Sequence, residues 1–315
     1  MTILTLGTLD QLQLDELADA AHGHFIQPIT SLADITSSDP SVEALIRVTT
    51  PLDAVLDQLP RLRWVHSAAA GVDGTLTARL QDSPIALTSA TGNGAIPLAE
   101  HAAMLMLMLN RDARRWVHAQ AAHRWDRFTH DELHGKTLGI LGLGNSGRHL
   151  ATIAHGLGMT VLALSRRAHA AHHPAVAHLY APQDLHRFLN RCDVVVVTTP
   201  YTPDTAGIID AAALQSMRST AHLICISRGG IIDETALLHA LDRGWIAAAG
   251  LDAHSVEPLP QDSPFWDHPQ VIVTPHNGAT TAQTAARGWQ LLLDNVRRYT
   301  SGQPLANVVD KESGY

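Results

Sequence analysis

The run Gly142-Leu143-Gly144-Asn145-Ser146-Gly147 follows the apolar stretch TLGIL and leads into a helical pattern with Leu150, Ile153 and Leu157 on one face. Between a strand and a helix, the spacing GxGxxG does its chemistry with backbone. Gly142 permits the tight turn, Gly144 lets the chain approach a pyrophosphate, and Gly147 lets the helix lie close to the strand. The helix start adds unpaired N–H donors and the positive end of its dipole, so a dinucleotide is the expected ligand.

The next strand-like run, Thr160 to Leu164, ends in Ser165-Arg166-Arg167. An enzyme that holds the ribose hydroxyls of NAD usually carries Asp or Glu there, and this chain does not. A hydroxyl and two guanidinium groups suit a 2′-phosphate, which a carboxylate would repel. NADP(H) is therefore the expected cofactor, with NAD(H) a possible second.

These residues need a frame. Short apolar runs rich in β-formers alternate with helical patterns at Ala44 to Val48, Trp64 to Ser67, Leu138 to Leu141, Val161 to Leu164, Val194 to Thr198, Leu223 to Ser227, Ala247 to Leu251 and Val271 to Thr274. Such alternation predicts parallel α/β sheets, and MTILTLGTLDQ reads as a first strand rather than an export signal. From Pro97 to Trp116 the pattern is apolar on nearly every face, predicting one helix buried between layers with proline in its first turn. A second long helix is expected from Thr280 to Tyr299.

At 315 residues two domains are expected. Hydrophobic residues at 45%, charged residues at 17% and a net charge of -8 exclude a disordered chain and argue against a nucleic-acid partner or an anionic membrane. The longest apolar stretch, Ala102 to Leu109, is too short to span a bilayer. Cys192 and Cys225 sit in apolar runs and read as packed thiols, which favours a cytoplasmic setting. In HAAHHPAVAH, the residues His169, His172, His173 and His178 crowd together, but the composition reads as a solvated loop and no metal site is expected.

Seven segments, in order along almost the whole chain, resemble the D-2-hydroxyacid dehydrogenase family, especially its glyoxylate and hydroxypyruvate reductase branch. They are HSAAAGVDG (66–74), PLAEHAAML (97–105), LHGKTLGILGLGNSG (133–147), TTPYTPDT (198–205), ISRGGIIDETAL (226–237), GLDAHSVEPLP (250–260) and TPHNGAT (274–280). The resemblance implies that Arg228, Glu257 and His276, each just beyond an expected strand, work together on a small 2-keto acid or 2-hydroxy acid. Ketone reduction needs a hydride donor, a proton for the oxygen and a group that polarises the carbonyl. His276 would donate the proton, Glu257 would favour its imidazolium form, and Arg228 would grip the carboxylate and carbonyl with its planar fork.

The same resemblance places the second side of the substrate carboxylate on the backbone near Ala70 and Gly71. It implies cofactor contacts at Asn145 and Ser146 in the turn, at Thr199, Pro200 and Thr205, at Ile226 and Ser227, and at Asp252, His276 and Gly278. Two departures stand out. Cys225 occupies a place where the family often has asparagine, so a hydrogen bond supporting the arginine loop is weakened. Asn277 replaces a usual apolar residue and puts an amide near the site.

The fold this implies is α/β, with two Rossmann-like domains of doubly wound parallel sheets. A cofactor domain of residues 99–285 is inserted in a discontinuous, flavodoxin-like substrate domain of residues 1–98 and 286–315, with the site in the cleft between them. A homodimer through the cofactor domain is expected from the family and from the apolar Met104 to Leu109 stretch. Rival readings share the fold. A formate enzyme usually has glutamine where Glu257 stands, phosphite oxidation remains open, and phosphoglycerate oxidation is less expected because no regulatory extension follows Tyr315. A nucleotide-sensing binding protein can keep the same trio, and turnover separates it from an enzyme.

Overall fold

Strands form where β-branched and leucine side chains alternate between two buried faces, and several helices start where a side chain caps a first-turn amide. A computed structural model of the chain describes residues 1–35, 40–166 and 173–315. The described residues divide into two compact units, Met1–Asn93 with Thr281–Tyr315, and Gly94–Thr280.

The first unit runs β1 (Thr2–Leu6), α1 (Gln11–Ala20), β2 (Phe25–Ile29), β3 (Val42–Val48), β4 (Trp64–Ser67), α2 (Ala78–Gln81) and β5 (Ala86–Ser89). Its parallel sheet has the order β2-β1-β3-β4-β5, that of flavodoxin-like folds. Alternation sends Leu4, Leu45, Val65 and Leu87 to one core, while Ile3, Ala44, Ile46 and Trp64 meet another. α1 starts at Asp10, whose side chain caps Gln13 in a capping box.

The second unit opens with α3 (Ala95–Asn110) and α4 (Ala113–Ala121), followed by β6 (Thr137–Leu141), α5 (Asn145–Gly156), β7 (Thr160–Leu164), β8 (Val176–Tyr180), α6 (Leu185–Leu189) and β9 (Val194–Val197). It continues with α7 (Ala211–Ser216), β10 (His222–Cys225), α8 (Glu234–Asp242), β11 (Ala248–Leu251) and β12 (Val271–Val273). α9 (Ala282–Thr300) follows, belongs to the first unit and lays Leu292, Leu293 and Val296 against Ile3, Ile46 and Trp64.

The second sheet is parallel throughout, in the order β12-β11-β10-β9-β6-β7-β8. Strand order reverses between β6 and β9, so a crevice opens at the carboxyl ends of those two strands, where open α/β sheets bind ligands. Leu138, Ile140, Val194 and Val196 pack under α3 and α5, and Val195, Val197, Leu223 and Leu251 pack under α6, α7 and α8. The α/β class and the two doubly wound sheets agree with the sequence reading.

Several expected boundaries shift. The single helix from Pro97 to Trp116 is two helices, because Asp112 takes a left-handed φ of 47° and turns the chain. There Asn110 donates to the Asp131 carbonyl at 2.7 Å and accepts from Lys136 at 3.0 Å, tying the helix end to the segment that returns toward β6. The unit boundaries fall earlier than 98/99 and 285/286, since Gly94 and Thr281 are the N-caps of α3 and α9 and each helix stays whole. Part of the expected histidine loop is the edge strand β8, which buries Tyr180. His169 and His172 lie outside the described residues. Among the described residues no helix is long and apolar enough to cross a membrane, and Cys192 and Cys225 are buried free thiols.

Candidate active site

At the crevice between β6 and β9, Gly142 adopts a φ of 102° and its amide donates to the Leu164 carbonyl at 2.9 Å. A Cβ on Gly142 would stand 2.8 Å from the Thr199 nitrogen, and one on Gly147 would stand 2.4 Å from the Gly142 carbonyl oxygen. Packing therefore demands those two glycines. Gly144 is different: a Cβ there would meet nothing within 4 Å. Its missing side chain leaves open space at the start of α5, where Gly144 is the N-cap and no side chain caps the first turn. Open space beside amides at a helix N-terminus fits a pyrophosphate, so these residues suit a dinucleotide.

Thr198, not singled out in the sequence, donates to the Gly142 carbonyl at 2.5 Å and clasps the turn to the end of β9. Thr205 is nearly buried and turns its hydroxyl inward, donating to the Pro200 carbonyl at 2.7 Å and accepting from the Thr202 amide at 2.8 Å. It shapes the TTPYTPDT loop, while Pro200 stays exposed. After β7, the Ser165 amide donates to Tyr180 at 3.0 Å, and the Arg166 guanidinium donates to Asp204 of the same loop at 3.1 Å. Arg167 lies outside the described residues. A carboxylate thus stands beside the expected 2′-phosphate position, supplied by a loop that sequence reasoning did not connect to it.

His276 and Glu257, 19 positions apart, meet: Nδ1 of the imidazole lies 2.7 Å from Glu257 Oε2. The other oxygen, Oε1, accepts the His254 amide at 2.8 Å. Partial burial would raise the Glu257 carboxyl, but the His254 amide and the His276 imidazole outweigh it and hold it below its ordinary value. An ionised carboxylate only accepts, so Nδ1 carries its hydrogen and Nε2 is the nitrogen left to exchange a proton.

The arginine loop follows β10. Ile226 is buried with its amide 3.4 Å from the Val197 carbonyl, and Arg228 Nη1 donates to the Ser227 carbonyl at 2.8 Å. A Cβ on Gly229 would lie 1.9 Å from the His254 carbonyl oxygen, so this glycine lets the Arg228 turn abut the segment that leads to Glu257. The Cys225 thiol reaches the Arg228 carbonyl at 3.5 Å. The support expected to be weakened is therefore supplied by sulfur, a weak donor.

Asp252 is fully buried just past β11, with its carboxylate turned toward the loop that carries His276. Oδ1 accepts the Thr274 hydroxyl at 2.6 Å and the Asn277 amide at 3.1 Å, and Oδ2 accepts the Gly278 amide at 3.0 Å. Burial opposes its ionisation, yet the His101 imidazole nearby, the Thr274 hydroxyl and the Gly278 amide prevail and keep the carboxyl below its usual value. Gly278 has no space for a side chain, since a Cβ would lie 2.8 Å from Asp252 Oδ2. Asn277 is exposed and enters the network through its backbone.

In the first unit, the amides of Ala70 and Gly71 donate to no acceptor among the described residues. The Ala70 carbonyl accepts the Thr91 hydroxyl at 3.2 Å, which fixes the loop after β4 while leaving those donors available to an anion. Among the described residues no group of three or more His, Cys, Asp or Glu could hold a metal ion.

A family model described as "D-isomer specific 2-hydroxyacid dehydrogenase, NAD binding domain" matches residues 103–278. Glyoxylate reductase of Korarchaeum cryptofilum is 32% identical over 279 residues, covering 86% of this chain and 83% of that protein. D-3-phosphoglycerate dehydrogenase of Mycobacterium leprae is 34% identical over 285 residues, 87% of this chain but 52% of that protein, so the chain spans about half the length of that relative. Among solved structures, a D-isomer specific 2-hydroxyacid dehydrogenase of Xanthobacter autotrophicus in complex with NADPH and MES is 29% identical with a TM-score of 0.84, covering 99% of both chains. An NADPH-dependent glyoxylate/hydroxypyruvate reductase of Sinorhizobium meliloti, in complex with NADP and sulfate, is 29% identical with a TM-score of 0.85, covering 100% of this chain and 99% of that one.

Proposed function

The chain belongs to the D-isomer specific 2-hydroxyacid dehydrogenase family, and from that premise we propose that it is an NADP(H)-preferring reductase of a small 2-keto acid. The observation that carries the reading is the 2.7 Å contact between His276 and Glu257, in a unit whose glycine turn leaves room for a dinucleotide at Gly144. A bound nicotinamide supplies the hydride. His276 delivers the proton through Nε2 to the carbonyl oxygen while Glu257, on Nδ1, fixes the ring and balances its charge. Arg228 orients the substrate carboxylate and polarises the carbonyl, and the amides of Ala70 and Gly71 are donors of the kind that bind a carboxylate.

Preference for NADP(H) is supported by Ser165 and Arg166 after β7 and by the NADPH and NADP held by the two solved relatives. The Thr199 to Thr205 loop, Ile226 and Ser227 line the rest of the cofactor path in this reading. Asp252 and Gly278 serve it by shaping the His276 turn. A homodimer through the cofactor unit is supported by apolar side chains left exposed on α3 and α4: Met104 at 40%, Leu107 at 41%, Trp116 at 42% and Val117 at 63%. Sedimentation at micromolar concentration tests that part.

The deciding experiment follows loss of 340 nm absorbance with NADPH and with NADH across glyoxylate, hydroxypyruvate, 3-phosphohydroxypyruvate, pyruvate, branched 2-keto acids and phenylpyruvate. Turnover of a small unphosphorylated keto acid, slowed on the order of a hundredfold or more in His276→Ala, is expected. Inertness toward all of them overturns the reductase reading and leaves a nucleotide-binding protein. A preference for the phosphorylated substrate assigns the chain to the phosphoglycerate branch.

A further inference from the structure

His276 occupies a backbone conformation that L-residues rarely adopt, with a φ of 49°. Such a residue persists only where its surroundings over-determine it. Its amide donates to the Thr274 carbonyl at 3.0 Å. The Thr274 hydroxyl precedes it, the Asn277 and Gly278 amides follow it, and all three converge on the buried carboxylate of Asp252. The turn is therefore clamped on both sides to a single anion.

The clamp has one more member. His101, on α3, has 12% of its side chain exposed, and its Nε2 lies 2.9 Å from the Thr274 hydroxyl oxygen and 3.4 Å from Asp252 Oδ1. The direction of every hydrogen follows from donor chemistry. The carboxylate can only accept, so the single hydroxyl hydrogen of Thr274 points to Asp252, and the hydroxyl oxygen can then only accept from His101 Nε2–H. His101 donates to Thr274, and Thr274 donates to Asp252. Each bond in such a chain polarises the next, and the chain ends on a carboxylate that is fully buried. A Cβ on Gly278 would lie 3.1 Å from the His101 ring, so the ring also braces the far side of the turn.

We propose that Thr274 and His101 are positioning residues for His276, forming a partly buried donor chain that ends on the buried Asp252 and fixes the orientation of the proton donor without touching substrate. The inference rests on the catalytic reading of His276. It adds that the threonine hydroxyl and the helix histidine are required for its alignment. Misplacement of a reacting group by about 1 Å costs on the order of a hundredfold.

Thr274→Val keeps shape and removes the hydroxyl. We expect kcat to fall about 10- to 100-fold, the solvent deuterium isotope effect on kcat to rise as proton transfer becomes limiting, and the Kd for NADPH measured by fluorescence to stay within about twofold. Thr274→Ser restores kcat. His101→Phe shows a smaller loss, which His101→Gln rescues because its amide nitrogen reaches as far as Nε2. Amide exchange at Asn277 and Gly278, read by NMR or mass spectrometry without substrate, quickens about tenfold or more in Thr274→Val. If the parent turns over no substrate, the reductase reading fails and amide exchange still judges the clamp. If Thr274→Val matches the parent in kcat and in exchange, or if serine is no better than valine, the proposal is wrong.

Discussion

Gly144→Ala and Gly147→Ala separate a glycine that leaves room for a ligand from one that the protein itself needs. Gly144 has a φ of -84° and a ψ of -160°, open to alanine, and its Cβ would touch nothing in the protein. Alanine gains about 0.5 kcal/mol by restricting the unfolded chain, loses a similar amount as a poorer N-cap, and leaves the free protein's stability nearly unchanged. Gly147 has a Cβ position 2.4 Å from the Gly142 carbonyl oxygen and 3.0 Å from Ile140 Cγ2, so alanine must push the helix off the strand at about 2 kcal/mol.

With NADPH at a hundred times its Kd, the parent gains about 2.7 kcal/mol of stability, a Tm rise of about 8 °C for a unit of this size. A methyl at Gly144 fills the space where a pyrophosphate would approach. If it weakens binding a hundredfold, the gain at the same concentration falls to about 0.4 kcal/mol, or about 1 °C. Differential scanning fluorimetry with and without NADPH reads both variants. An unshifted free Tm with a lost cofactor response is expected for Gly144→Ala, and a lowered free Tm for Gly147→Ala. A Gly144→Ala protein that keeps the full cofactor-induced rise would refute the placement of the pyrophosphate.

Three further outcomes follow from the geometry. Asp204, paired with Arg166 at 3.1 Å, repels a phosphate at about 6 Å by about 1 kcal/mol under water-like screening. Asp204→Asn should therefore raise kcat/KM for NADPH relative to NADH about fivefold, and an unchanged ratio would dissociate that pair from cofactor choice. Glu257→Gln removes a charge-assisted bond worth about 1.5 kcal/mol at this exposure, so kcat should drop about tenfold at constant NADPH affinity; retention within twofold would deny Glu257 its role. His66 is 1% exposed and burial pushes its imidazole down to about 4, below the ~6.5 of an unfolded chain. The unfolded state then binds more protons between those values, so stability is full above pH ~6.5 and falls as acid is added, by about 2 kcal/mol near pH ~5. Urea titrations of the parent and His66→Gln at pH ~7.5 and ~5 should differ by that amount, and parallel pH dependence would rule it out.

The glycine turn, the sheet strands with β-branched runs and the segments bearing Arg228, Glu257 and His276 were legible because each is a local pattern. The edge strand β8 and the short β2 and β5 were not. Their sequences, VAHLY, FIQPI and ALTS, carry polar residues or proline that an edge position tolerates and periodicity does not register. Likewise the break at Asp112 depends on where the Asn110 side chain finds the Asp131 carbonyl, a partner 21 positions away.

By itself the sequence determined the α/β class, the dinucleotide turn and the identity of the groups able to do the chemistry, because spacing along a strand or helix fixes local geometry. Only the tertiary structure decided which groups meet. His101, Thr274 and Asp252 stand on α3, after β12 and after β11, and converge because parallel strands deliver their carboxyl ends to one edge of the sheet. That also assigned Asp252 an inward duty, opposed Asp204 to Arg166, and showed that Gly147 is required for packing while Gly144 leaves space open. Hydrogen bonds and steric contacts act over about 3 to 4 Å in space, whatever the distance along the chain.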